Sequence, residues 1–161
     1  MENRIPRYRP QYISCYDISV GLTVRDYQAL AEFRYQLRRF LQFSEMRARE
    51  HAIEPQQHQA LLALKGLPVG CQPTVGELAN RLVLRHHTAV ELFNRLESSG
   101  LVKRHPDPDD GRQILLHLTP LGAAKLRSLS LVHHDELQVK GPDLAKALRA
   151  VLRRSREFRA A

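Results

Sequence analysis

Residues 74–118 read TVGELANRLVLRHHTAVELFNRLESSGLVKRHPDPDDGRQILLHL, and their spacing predicts helix, turn, helix and hairpin with nothing left over. Thr74 followed by Glu77 is a capping box, after which Leu78, Ala79 and Leu82 form one apolar helical face. Leu84 is an apolar turn residue. Ala89, Leu92, Phe93 and Leu96 then recur at helical spacing, and Gly100 supplies a left-handed cap where this second helix stops. Two helices crossing steeply need a small side chain at the crossing and apolar residues around it, which Ala79, Leu82, Leu84, Ala89 and Leu92 provide. That inward set leaves Arg85, His86, His87, Val90, Glu91 and Asn94 facing outward. Residues 101–104 and 113–118 read as short strands around 106–111 (PDPDDG), a run dense in turn formers. Thr119 and Pro120 then cap and open a further helix. The order is that of a winged helix-turn-helix, and a polar stripe on its second helix is what a DNA major groove reads.

The flanks are helical. Thr23 and Asp26 can cap a first helix whose Leu30, Phe33, Leu37, Phe40, Leu41 and Met46 cover more than one stripe, so that two faces need covering. A second helix opens at Pro55 and runs through Ala60, Leu61, Leu62 and Leu64 to Gly66, forming a floor under the reading head. One helix is expected after Pro120, carrying Leu121, Ala124, Leu126, Leu129, Leu131 and Val132. Another is expected after Pro142, carrying Leu144, Ala147, Leu148, Val151 and Leu152. These faces exceed what a small winged element can cover. Pairing with a second, symmetric copy is the commonest solution; an internal bundle is the alternative. The expected fold is therefore mainly α, a winged helix-turn-helix with a small β-hairpin wing and terminal helices forming a dimerisation domain. Residues 1–25 form an arm, 26–52 and 119–161 the dimerisation helices, and 53–118 the DNA-binding region.

Composition narrows the partners. A chain of 161 residues is one folded unit with a real core, and a net charge of +8 with a pI near 10.0 favours a polyanionic partner. Lys146, Arg149, Arg153, Arg154, Arg156 and Arg159 crowd the C-terminal helix and read as a solvated face, with phosphate or partner contact as the alternative. Arg4, Arg7, Arg9 and Arg25 dot an N-terminal stretch that holds Tyr8, Tyr12 and Tyr16 and is broken by Pro6, Pro10 and Gly21, as in an extended arm. Two distant cysteines, with no signal peptide and no long apolar segment, predict a cytoplasmic protein without a disulfide framework or a membrane partner.

The run from Thr74 through Leu84, then Thr88-Ala89-Val90-Glu91-Leu92, Arg95-Leu96-Glu97, Gly100-Leu101-Val102, Asp107-Pro108-x-Asp110-x-Arg112 and Leu118-Thr119-Pro120-x-Gly122, resembles the multiple antibiotic resistance regulator (MarR) family. The likeness is close in the middle of the chain; residues 26–66 and those from 121 onward share mainly helix lengths and apolar pattern, and 1–25 lie outside it. It implies a homodimer that binds pseudopalindromic promoter DNA and is released by a small effector or by oxidation. On that footing Arg85, His86, His87, Thr88, Glu91 and Asn94 are the groove-side candidates, with Arg95 a phosphate or structural contact. Glu91 can accept from a cytosine amino group or hold a neighbouring arginine. In the wing, Asp110 and Arg112 match the family motif while Asp109 stands where relatives are often basic; Asp110 can pair with Arg112 and orient it toward the minor groove or its phosphates, or the two form a structural pair that only fixes the hairpin. His58 falls where the family carries an aromatic residue, beside the crevice between dimer interface and reading head. It is the effector-binding candidate, against the plainer expectation of a histidine satisfied by a backbone carbonyl. Phe43 and Tyr35 line the same crevice or belong to the core.

Other chemistry has weaker support. The adjacent pairs His86-His87 and His133-His134 point about 100° apart on a helix and do not converge on one ion. His51, His58, His105, His117 and Cys71 can meet only through the fold, and no HxxxH or CxxC pairing occurs. Cys15 lies upstream of the first helix, away from where relatives place a peroxide-sensing cysteine, and Cys71 reads as a small, buried or half-buried residue. No nucleophile elbow, phosphate-binding glycine loop or dinucleotide fingerprint occurs, so neither enzymatic activity nor a cofactor is expected. The expected function is a homodimeric, sequence-specific DNA-binding transcriptional regulator, a repressor released by a small effector. The alternatives are a winged-helix protein-interaction module without DNA binding, and a redox- or metal-sensing regulator.

Overall fold

The computed structural model describes residues 22–157. In chain order these form α1 (Val24–Glu50), α2 (Pro55–Lys65), α3 (Val75–Arg81), α4 (His86–Ser98), β1 (Val102–Pro106), β2 (Ile114–Leu118) and α5 (Pro120–Glu157). Residues 1–21 of the expected N-terminal arm, with Cys15, and 158–161, with Arg159, lie outside the described residues, while Arg25, expected in the arm, belongs to α1.

Each helix start follows from local chemistry. Thr23 caps α1 and donates its backbone N–H to Asp26 Oδ2 at 2.6 Å. Pro55 opens α2, where its missing N–H leaves no bond unmade. Thr74 Oγ1 accepts the Glu77 N–H at 3.2 Å, but only half of the expected capping box forms: the Thr74 N–H donates to the Gln72 carbonyl, and the Glu77 carboxylate pairs with Arg81 at 2.8 Å.

One core joins these elements. Ile53, Leu61, Leu78, Leu92, Phe93, Leu96, Val102, Leu116 and Leu129 are fully buried together, so α2 is the floor on which α4, the hairpin and α5 all rest. β1 and β2 pair antiparallel, with Val102 opposite Leu118 and Arg104 opposite Leu116. The first strand runs on to Pro106, beyond the expected end at 104. Leu116 also donates its N–H to the Pro73 carbonyl at 2.8 Å, tying the loop before α3 to the hairpin.

The end of the hairpin locks onto α5. Thr119 donates its N–H to the Leu101 carbonyl at 3.1 Å and its hydroxyl to the Gly100 carbonyl at 2.6 Å, while Oγ1 accepts the Gly122 N–H at 3.0 Å. A Cβ at position 122 would stand 2.0 Å from the Leu101 carbonyl oxygen. Only glycine lets the first turn of α5 lie this close to the reading head.

α5 corrects one expectation. Residues 119–161 were to form two helices parted at Pro142, yet α5 is continuous across it. An interior proline loses a backbone hydrogen bond and crowds the preceding turn, costing about 3 kcal/mol. Packing offsets this: α1 lies along α5, and Ala147 is buried a little more than a turn beyond Pro142. Not all of α1 is covered. Tyr27, Leu30, Leu37 and Leu41 remain 36% exposed or more, as do Leu131, Val139, Leu148 and Leu152 on α5.

Candidate nucleic-acid interface

The turn between α3 and α4 aims the second helix. Leu84 donates its N–H to the Ala79 carbonyl at 2.9 Å, and Val83, exposed, adopts a left-handed φ of 53°. Ala89, Leu92, Phe93 and Leu96 are all buried on the inner side of α4, and Gly100 ends it at a φ of 67°, as their spacing predicts. The opposite side is solvated. His87, Glu91 and Asn94 are exposed at i, i+4 and i+7 and form one stripe, with His86 and Arg85 at the N-terminal end and Val90 and Thr88 half-buried beside it. The first turn adds unpaired backbone N–H groups and the positive end of the helix dipole to the charge of Arg85. Arg95 stands apart: it lines an open recess with Glu45, Arg49, Glu54 and Gln57.

A cluster that the sequence did not reveal joins α4 to the wing. Arg104 of β1 pairs with Glu97, donates from Nη2 to Asn94 Oδ1 at 2.8 Å, and sends its backbone N–H to Glu97 Oε1 at 3.3 Å. Glu97 is one turn from Asn94, so both reach the same guanidinium. In sequence Arg104 is only a strand residue, and nothing local marks its partners.

At the wing tip the carboxylates are turn residues, as expected, and of the two arrangements open to Asp110 and Arg112 the hairpin-fixing one is found. Asp110 Oδ1 accepts the backbone N–H of Arg112 at 3.1 Å, and its other oxygen lies 3.3 Å from Gln113 Nε2, so it shapes the turn and does not hold the Arg112 guanidinium. This is an Asx turn, in which a short carboxylate reaches its own backbone two residues on more readily than a long, solvated side chain. Buried Asp107 accepts from the Asp109 N–H at 2.9 Å and from Gln72 Nε2 at 2.9 Å, anchoring the tip to the loop before α3. Asp109 and Arg112 are exposed.

His58 is 3% exposed and stacks on His133 of α5, with ring centroids 4.8 Å apart. Burial, and then the charge of His133, push its pKa down from 6.5 to about 4. The carbonyl partner expected for His58 belongs to its neighbour: His133 Nδ1 lies 2.6 Å from the Leu129 oxygen. Phe40 and Phe43 meet the His133 ring edge-on. A stripe of Leu126, Leu129 and His133 was legible as a histidine set among leucines, the signal that a metal-centred view of His133-His134 passed over. Phe40 and Phe43 also line a cavity of about 270 Å³ between α1 and α5, together with Met46, Leu137, Leu144 and the charged Arg39, Glu136 and Lys140. Tyr35 is exposed and packs against Arg39. Cys71 is half-buried, as expected, with Arg81 Nη2 3.7 Å from its sulfur. Among the described residues, no three His, Cys, Asp or Glu side chains are grouped to hold a metal ion, and no helix is long and apolar enough to cross a membrane.

The family model that matches this chain is that of the MarR family, over residues 53–113. The uncharacterized HTH-type transcriptional regulator YsmB of Bacillus subtilis strain 168 is 30% identical over 105 residues, covering 63% of this chain and 70% of YsmB. The chain belongs to the MarR family of transcriptional regulators. Solved structures agree with the MarR fold. A probable transcriptional regulator from Pseudomonas aeruginosa is 29% identical with a TM-score of 0.52, covering 73% of this chain and 92% of that one. The structure of an S. aureus MepR–DNA complex gives 0.61 at 19% identity, covering 88% of this chain and 100% of MepR, a likeness of fold alone.

Proposed function

We propose that this MarR-family protein is a homodimeric, sequence-specific DNA-binding repressor, with one α4 in the major groove of each half of a pseudopalindromic operator. One observation carries the proposal: α4 buries Ala89, Leu92, Phe93 and Leu96 and leaves Arg85, His86, His87, Glu91 and Asn94 as an exposed polar stripe among the described residues. Phosphate contacts supply affinity, and the stripe supplies discrimination. Arg112 and the first turn of α4 are the phosphate-side candidates, and Arg95 the flanking one. The net charge of +8 and the DNA complex of MepR, a protein of the same fold, support a nucleic-acid partner.

The uncovered apolar residues of α1 and α5 support the dimer, because a second copy buries them by symmetry without any new surface. The α1–α5 cavity suits a small, partly aromatic effector. His58 does not line it and acts in this scheme only through His133, Phe40 and Phe43. Such a protein is a cytoplasmic regulator and not an enzyme.

Gel retardation on the chain's own upstream DNA, repeated across a salt series, tests the proposal. Retardation that weakens steeply with salt, by a species that light scattering sizes as a dimer, is expected. No retardation at low salt would favour a winged-helix protein-interaction module.

A further inference from the structure

Asn94 lies on the outward stripe of α4, seven residues after His87 and so within about 20° of the same direction around the helix axis. A free asparagine amide has two faces for a base. Its Oδ1 accepts from the N6 amino group of adenine while its Nδ2 donates to N7, the usual bidentate pairing.

Here one lone pair of the Oδ1 is engaged. Arg104 Nη2 lies 2.8 Å from the oxygen. A guanidinium carries donors only, so the atom it meets must be the amide oxygen and the amide cannot be turned over without losing the bond. Arg104 is itself held from two directions, by its ion pair with Glu97 and by its backbone N–H to the same carboxylate within the β1 strand. The Arg104 side chain is 25% exposed while Asn94 is exposed, so the bond sits at the edge of the solvated face and is held in place from the Arg104 side. A carbonyl oxygen has two lone pairs and Arg104 takes one, so what counts is orientation: an amide whose oxygen is drawn to the wing strand turns its Nδ2 amino group the other way, toward the groove. Its amino protons complement O6 and N7 of guanine, whereas adenine offers one acceptor beside an amino group of its own.

We propose that Arg104 is a specificity-positioning residue: by holding the Asn94 carbonyl toward the wing strand it turns the amide donors to the major groove, so that Asn94 selects guanine over adenine at the base pair it faces. The inference rests on the reading of α4 as the groove helix, and it gives the wing strand a share in base choice that does not require contact with a base.

The test is binding-site selection from a randomised operator with the full-length protein. The wild type is expected to enrich guanine at one position in each half-site. Asn94→Ala should flatten that position by at least about fivefold and leave the others unchanged. Arg104→Met frees the amide and should convert guanine to adenine at the same position, while Arg104→Lys, which restores a donor, should return part of the guanine preference. Asn94→Asp keeps the pair with Arg104, and with it the hairpin, but removes the donors; it should lose guanine in favour of cytosine, whose amino group a carboxylate accepts. Uniform weakening of all sequences by Arg104→Met, or unchanged guanine enrichment in Asn94→Asp, would overturn the inference while leaving DNA binding intact. A wild-type protein that selects no sequence would overturn the DNA-binding reading itself, and this inference with it.

Discussion

The imidazoles of His58 and His133 lie nearly parallel, 17° apart at a centroid distance of 4.8 Å, where the floor of the reading head meets α5. Both are buried, and His133 Nε2 has no hydrogen-bond partner within the described residues. His58 is therefore placed to stay neutral.

Acid should weaken the fold through this contact. The pKa of His58 is about 4 in the folded chain against 6.5 unfolded, so between those values the unfolded chain binds the extra proton. The contribution is complete above pH 6.5 and lost as pH falls toward 4, by as much as about 3 kcal/mol. Urea unfolding at pH 7.5 and 5.5 should differ by about 1 kcal/mol from this source. His58→Leu should remove that part of the pH slope; an unaltered slope would place the acid sensitivity elsewhere.

Gly122 should tolerate no side chain. A Cβ there meets the Leu101 carbonyl oxygen at 2.0 Å, while one at Gly111 meets nothing within 4 Å. Gly122→Ala is expected to cost about 2 to 3 kcal/mol by overpacking, seen as a lowered melting temperature, with Gly111→Ala close to neutral. Equal melting temperatures for the two variants would mean that α5 is not pressed against the hairpin.

Continuity of α5 through Pro142 bears on assembly. A chain ending at Gly141 loses Leu144 and Ala147 as well as exposed Leu148 and Leu152, and so sheds both packing on α1 and apolar surface for a partner. Monomer or aggregate is expected by light scattering. A well-folded dimer from this truncation would move the interface away from the end of α5.

The wing separates a turn-forming acid from a DNA-facing cation. Since Asp110 holds the Arg112 backbone and leaves its guanidinium free of that carboxylate, Arg112→Ala should weaken DNA binding without altering circular dichroism. Asp109→Arg should bind all sequences more tightly and steepen the salt dependence by about one unit, because an acidic group near phosphate becomes a neutralising one. Loss of affinity in that variant, with the fold intact, would mean that the wing tip does not approach DNA.

Taken alone, the sequence determined the helix starts and the buried side of the second helix of the winged element. Thr23, Pro55, Thr74 and Pro120 mark helix starts within a turn, and Ala89, Leu92, Phe93 and Leu96 name the buried side of α4, because caps and the helical period act over three or four residues. Gly122 was visible as part of a motif, but its reason was not: the Leu101 carbonyl that forbids a side chain there arrives through the hairpin. Pro142 failed as a helix stop, since packing along α1, a distant segment, outweighs a local breaker. Asp110 and Arg112 were rightly placed in the wing, and turn geometry decided that they meet through the Arg112 backbone and not the guanidinium. Only the tertiary structure decided that His58 would meet His133 and that Arg104 would take the carbonyl of Asn94. Such pairs join residues on different elements, and their chemistry depends on distance and exclusion of water, which chain spacing does not encode.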